Sequence, residues 1–237
     1  MSYRTDSDIY VPYGRIIKKQ SKGTNGSVIA IRDEPRSPIS KTTISNFNLS
    51  HKTKSIAWFV SDCSTWSRRE YLASALSKYI DVDVYGYCGT HECREYGDGC
   101  YRMVEQKYKF YLSFENSLCR DYVTEKLFNL LQYSIIPVVY GDSQYYRSML
   151  PPKSYIDARN FTTVRELASF LSQVGNDDQL YRSYFDWKHY YESITEIDTF
   201  CELAKALDAG IDSNRTKGLD SWWVFGARCQ RGSYFLK

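Results

Sequence analysis

No stretch of the 237-residue chain approaches the roughly 20 consecutive apolar residues that a membrane helix needs. Nothing after Met1 has the basic, apolar, small-residue order of a signal peptide. Histidine is scarce. His51, His91 and His189 are scattered, and no motif gives any of them a serine or cysteine partner for nucleophilic catalysis. There is no GxGxxG after a strand and no GxxxxGK[ST], which counts against a nicotinamide enzyme or a P-loop ATPase. Charge of one sign is also lacking: the net charge of +3 is small and evenly spread, so no nucleic-acid partner is expected. No internal repeat is visible, and no close CxxC pair suggests a zinc site.

Aromatic residues are abundant: 22 Tyr, 11 Phe and 5 Trp make 16% of the chain. Such rings fill cores and stiffen strands, and Tyr and Trp also offer faces for sugar and base stacking. Seven cysteines leave at least one unpaired. Cys88, Cys93 and Cys100, with His91 between them, could suggest zinc, but a disulfide-bearing loop fits better. Four N-x-S/T sequons, at Asn25, Asn48, Asn160 and Asn214, are glycosylation candidates. Cysteines and sequons together favour the lumen of the secretory pathway. A chain with lumenal features and no entry signal is expected to be incomplete at its N-terminus.

Residues 1–19 are a polar lead with a turn at Pro12–Gly14, and residues 20–53 read as a linker or long loop. From Ser55 onward, strands alternate with helices. Ile56–Val60 is a buried strand, Ser67–Tyr79 a helix, Val82–Tyr85 a second strand, and Gly86–Cys100 a Cys- and Gly-rich loop. Phe110–Phe114 is a strand, Asp121–Tyr133 a helix and Ile135–Tyr140 a strand closed by Gly141. Ser154–Ala158 is a further candidate strand, Val164–Val174 an amphipathic helix, and 177–208 is expected to be helical. This order predicts an α/β fold with a parallel, doubly wound sheet. Ligands of such sheets sit beyond the carboxyl ends of the strands, which points to loops 61–69 and 115–126.

Loop 115–126 suits a phosphate: Asp121 can cap the following helix, and Glu125 and Lys126 lie in its first turn. Arg69 offers a second cation from the preceding unit, so the pair could clamp a diphosphate. The same residues also read as a helix-capping glutamate and two solvated surface charges. Asp81-Val-Asp83 is formally a DxD metal motif. It opens an apolar strand whose alternation separates its neighbours, so no metal role is assigned to it. Asp6-Ser-Asp8 is a polar loop and gives no better case.

The run KFYLSFENSLCRDYVTEKL (Lys109–Leu127) resembles the signature of α1,3/4-fucosyltransferases, glycosyltransferase family 10, in which a strand runs into FENS and then DY[IV]TEK. The likeness extends through IIPVVYG (Ile135–Gly141), PPKSYIDARNF (Pro151–Phe161) and YRSYFDW (Tyr181–Trp187). Upstream it includes WFVSD (Trp58–Asp62), SRREY (Ser67–Tyr71) and VDVYG (Val82–Gly86), and Met1–Gly14 resembles the segment that ends the family's first domain. Cys88-Gly89, Cys100 and the Asn116–Asp121 run are most similar to invertebrate and plant enzymes that fucosylate the N-glycan core.

The resemblance implies the C-terminal, Rossmann-like half of a GT-B glycosyltransferase. Residues 1–19 would be a remnant of the N-terminal acceptor domain, 20–53 a linker, and 54–237 the GDP-fucose-binding domain with C-terminal helices. It implies an inverting transfer of L-fucose from GDP-β-L-fucose to N-acetylglucosamine in α1,3 linkage. Arg69 and Lys126 would contact the diphosphate, Glu125 would bind the fucose or guard its developing positive charge, and Asn116 and Tyr122 would line the donor pocket. No protein-held metal cofactor is implied. The partners would be GDP-fucose and an N-glycan or glycoprotein acceptor, in the Golgi lumen, with membrane attachment through an anchor outside this sequence. Asp62 departs from the family's usual Asn, which replaces a hydrogen-bond donor with a carboxylate near the expected diphosphate. Cys201 and Cys229 are candidates for one bridge, the family's nearby second cysteine being replaced by Ala204. The general base belongs to the family's N-terminal domain, so no residue here is assigned that role. The alternative is a truncated or inactive fragment that binds GDP-fucose without transferring it.

Overall fold

A computed structural model describes residues 1–19, 48–94, 98–210 and 218–232. The expected sheet is present. Strands β2 (Lys54–Phe59), β3 (Val82–Tyr85), β4 (Tyr108–Phe114), β5 (Ile136–Tyr140) and β6 (Ile156–Asp157) pair in parallel in the order β3-β2-β4-β5-β6. All five residues of β5 are buried, as the near-continuous apolar run of a strand covered on both faces requires.

Successive side chains leave opposite faces of a strand, and each face is packed by helices. Ile56, Trp58, Phe110, Leu112 and Val138 meet Leu72 and Leu76 of α1 (Arg69–Leu76) and Leu167, Leu171 and Val174 of α5 (Val164–Asn176). On the other face, Tyr111 and Ala57 meet Val104 of α2 (Gly99–Lys107), and Val139 meets Leu127 and Phe128 of α3 (Glu125–Leu130) and Tyr145 of α4 (Ser143–Met149). Helices on both faces make the sheet doubly wound. α5 starts with a reciprocal capping box between Thr163 and Glu166.

Four expectations need correction. The helix expected over Asp121–Tyr133 is only Glu125–Leu130, because Asp121 adopts φ +60 and sends its carboxylate to the Thr5 backbone N–H and hydroxyl (3.0 and 2.7 Å) rather than to a cap. The stretch 177–208 is not all helix. It contains α6 (Asp178–Ser183), a 3₁₀ turn, strand β7 (Tyr191–Ile194) and α7 (Thr199–Asp208). β7 pairs antiparallel with β1 (Arg15–Lys18) inside the segment read as a polar lead, and Ile16 of β1 is buried with Leu127, Phe128 and Trp187. The fourth is the bridge proposed between Cys201 and Cys229. Cys229 instead pairs with Cys119, since the antiparallel bridge Leu118–Gln230 lays the C-terminal segment along the loop after β4, while Cys201 is unpaired and exposed. The other bridges are Cys63–Cys88 and Cys93–Cys100, so the cysteines around His91 are disulfides rather than zinc ligands. Of the segment read as a linker, 48–53 is described and includes a 3₁₀ turn at Leu49–His51; the rest, with Asn25, lies outside the described residues, as does Asn214.

Candidate functional site

Strands β2 and β4 are hydrogen-bonded neighbours, so the loops that follow them emerge side by side. The two loops are stitched together: Ser67 N–H donates to the Asn116 carbonyl (3.0 Å), and Ser67 Oγ donates to the Glu115 carbonyl (2.7 Å). Arg68, in the left-handed region at φ +54, turns the chain into α1 and sets Arg69 as its first residue.

Arg69 is 3% exposed. Its Nη1 donates to the Phe114 carbonyl (2.7 Å) and its Nη2 to the Asp62 carbonyl (3.3 Å), with the guanidinium 5.7 Å over the Trp58 ring. Its Nε is buried and has no hydrogen-bond partner. Burial pulls the guanidinium pKa down, and the carboxylates of Asp62 and Glu115 oppose that. A buried cation with an unused donor is costly unless something completes it.

Lys126 stands at the entrance to α3. Its Nζ donates to Thr124 Oγ1 (2.8 Å) and lies 3.3 Å from Glu125 and 3.6 Å from Glu115. Glu115 is fully buried, and it accepts the Thr124 backbone N–H (2.8 Å) and hydroxyl. Burial pushes the Glu115 carboxyl up, while the Lys126 charge and the Thr124 hydrogen bonds hold it down. The ammonium is thus fixed between a buried carboxylate and the half-exposed Glu125. Gly141, at the end of β5, allows this packing: a Cβ there would sit 2.3 Å from the Tyr146 hydroxyl and 3.3 Å from Glu115 Cγ.

Asn116 donates through Nδ2 to Asp62 Oδ2 (3.1 Å), and its Oδ1 is buried without a partner. The Asp62 carboxylate therefore orients Asn116. Tyr122 is half-buried with its ring edge-on to Tyr3 at 5.4 Å, and burial, with Glu115 the first of several nearby charges, pushes its hydroxyl up to about 12.

Arg69, Asn116, Glu125 and Lys126 therefore gather around the ends of β2 and β4, with Tyr122 on the same loop. Glu115 lies inside the FENS motif, where no role was expected of it. The available signal was a carboxylate placed directly after the largely apolar strand Phe110–Phe114, where it cannot be buried alone. Ser67 and Thr124, which tie the loops together, carried no such signal. In the DxD pattern, Asp83 Oδ2 is occupied by Lys54 Nζ and the Tyr108 hydroxyl (both 2.5 Å). No group of three His, Cys, Asp or Glu among the described residues could hold a metal ion. Asn48 and Asn160 are exposed; the Asn48 side chain also caps its 3₁₀ turn by accepting the Ser50 N–H.

The family description "Glycosyltransferase family 10 (fucosyltransferase) C-term" matches residues 49–222. Alpha-(1,3)-fucosyltransferase C of Drosophila melanogaster is 42% identical over 97% of this chain and 54% of its own length. Glycoprotein 3-alpha-L-fucosyltransferase A of the same organism is 36% identical over 98% of this chain and 44% of its own. The chain thus spans about half the length of these curated relatives. A crystal structure of an alpha1,3-fucosyltransferase with GDP-fucose superposes with a TM-score of 0.51 at 19% identity, covering 67% of this chain and 49% of that one, a likeness of fold.

Proposed function

Because the chain belongs to glycosyltransferase family 10, the fucosyltransferases, through the sequence of their C-terminal part, we propose that it binds GDP-β-L-fucose and supplies the donor half of an α1,3-fucosyltransferase. The reaction is an inverting transfer of L-fucose to the hydroxyl of an N-acetylglucosamine residue of an N-glycan or glycoprotein. The observation that carries this reading is the buried Arg69, whose Nε lacks a partner, beside a Lys126 held by Glu115 and Thr124.

Breaking the fucosyl–phosphate bond leaves negative charge on GDP. Fixed cations stabilise that charge more in the transition state than in the ground state. Arg69 and Lys126 fill this role, and protein contacts hold both: the Phe114 and Asp62 carbonyls hold Arg69, and Thr124 and Glu115 hold Lys126, so little reorganisation is needed. The sugar carbon becomes oxocarbenium-like, which favours a carboxylate nearby; Glu125, half-exposed beside Lys126, is that carboxylate. Asn116 and Tyr122 line the donor pocket. The base that deprotonates the acceptor is assigned to no residue of this chain. The three disulfides support folding in an oxidising lumen, consistent with a Golgi enzyme.

Calorimetric titration of the chain with GDP-fucose and GDP tests the donor assignment: both bind, and Lys126→Ala weakens both. Absence of GDP-dependent binding would overturn it. Donor binding without transfer is the alternative reading. Incubation with a glycopeptide acceptor separates the two, since fucosylated product forms only under the first.

A further inference from the structure

Past the donor loops, the carboxyl edge of the sheet continues to the ends of β5 and β6. There a second cavity opens, about 440 Å³ in volume, and none of Arg69, Asn116, Tyr122 or Lys126 lines it. Four arginines do: Arg120 from the loop after β4, Arg147 from α4, Arg159 from the turn after β6, and Arg228 near the C-terminal end. Arg228 reaches the cavity because the Cys119–Cys229 disulfide spans 110 positions and Arg120 N–H donates to the Ala227 carbonyl (2.8 Å). Its backbone sits in the left-handed region at φ +47, an unfavourable conformation for a side chain of this size.

Among the described residues, cations outnumber carboxylates in the lining of this cavity. Among the described residues that line it, the one carboxylate is Asp142, and both its oxygens are engaged by backbone N–H groups: Oδ2 by Asp121, Oδ1 by Gln144 and Tyr145. Arg120 is compensated by Asp6 (3.3 Å) and Asp121 (3.5 Å), and Arg159 is anchored on the Gly141 carbonyl (2.9 Å). Arg147 and Arg159 also feel the buried Asp157 carboxylate behind the cavity, but the side chains of Arg147 and Arg228 have no hydrogen bond or close ion pair among the described residues. Ser143 adds a buried hydroxyl that interacts with the Asp157 carboxylate without closing a hydrogen bond. Guanidinium forks gathered from four segments repel one another when empty and match the several acceptor oxygens of one oxyanion. We propose that this cavity is a second anion site, separate from the donor clamp, that takes a tetrahedral oxyanion: a phosphate monoester or a sulfate ester. Such a group can arrive on an acidic glycan or on a nucleotide.

The test is titration of the chain with inorganic phosphate at constant ionic strength, with and without saturating GDP, beside the variant R147S/R228S. Both side chains are exposed, so the variant is expected to keep its fold, checked by its melting temperature. The expected result is phosphate binding that GDP does not displace and that falls at least tenfold in the variant, with GDP affinity unchanged within twofold. If GDP itself does not bind, the variant still reads the phosphate site. Binding no stronger than in the chloride control, or binding that the variant leaves unchanged, would overturn the proposal. Two further arms identify the carrier: N-acetylglucosamine 6-sulfate against N-acetylglucosamine, and adenosine monophosphate against adenosine. A gain of the charged over the neutral form that depends on Arg147 and Arg228 assigns the source. No gain in either arm counts against the site.

Discussion

The two edges of the parallel sheet both bury positive charge and treat it differently. At the amino edge, Lys52 is 3% exposed and donates to the carbonyls of Glu105 and Tyr108, while Lys188 donates to the Tyr133 carbonyl (2.6 Å). These ammonium groups are tied to backbone at chain reversals, and they close that end of the fold. At the carboxyl edge, Arg69 is as deeply buried yet keeps Nε unpartnered, and Asn116 keeps Oδ1 unpartnered. Burial alone therefore does not mark a site. Buried polarity that the protein leaves incomplete does, because an unmade hydrogen bond costs about 1–3 kcal/mol and persists only where something offsets it.

The largest expected effect comes from the carboxyl edge. In the full-length context, Lys126→Ala is expected to lower fucosyl transfer by about 10²–10³, the loss typical of one transition-state anion donor; turnover at the wild-type rate would show that this edge is structural too. Arg69→Lys comes next, since an ammonium cannot reproduce the planar fork. It is expected to strand the Phe114 or Asp62 carbonyl, lower the melting temperature and weaken GDP binding about tenfold, read by calorimetry. Weakened stability with unchanged GDP affinity would reduce Arg69 to a structural tie.

Glu115→Gln is smaller. It removes the buried charge that holds Lys126 but keeps an oxygen for Thr124. A loss of about tenfold or less in kcat, with KM little changed, is expected if Glu115 positions Lys126 for the transition state. The smallest effect on donor binding belongs to the amino edge: Lys52→Met should leave GDP affinity unchanged and alter stability only. Burial pulls Lys52 to about 7 and Lys188 to about 8, below the unfolded value near 10.4. Between those limits the unfolded chain binds more protons, so the penalty is full below about pH 7 and wild-type stability rises from pH 7 toward 9. Denaturant midpoints across that range check it, and Lys52→Met should flatten the slope.

Much of the fold was legible because its signals are local. Ile56–Val60, Phe110–Phe114 and Ile135–Tyr140 are largely apolar runs bounded by polar or glycine residues, and a strand covered on both faces needs such a run. Their parallel direction followed from the helices between them, but not the order in which they pair. β7 was not legible: Tyr191–Ile194 alternates too weakly to stand out, and its partner β1 lies more than 170 positions earlier. Asp121 looked like a helix cap by type and position, but its hydrogen bonds run to Thr5. Among the site residues, Arg69 and Lys126 were visible as cations at strand ends, whereas Glu115 became a candidate only once its burial was known.

By itself, the sequence determined the α/β class, the two loops after β2 and β4, and a family signature detailed enough to nominate Arg69, Asn116, Tyr122, Glu125 and Lys126. These follow from patterns within a dozen residues, where propensity, periodicity and motif spacing act. The tertiary structure decided which cysteines meet, that β1 closes on β7, that Arg69 is buried with a donor to spare, and that four arginines share one cavity. Those outcomes depend on contacts between segments more than 100 and in one case more than 170 positions apart, and on whether a charge is desolvated there, which no local pattern encodes.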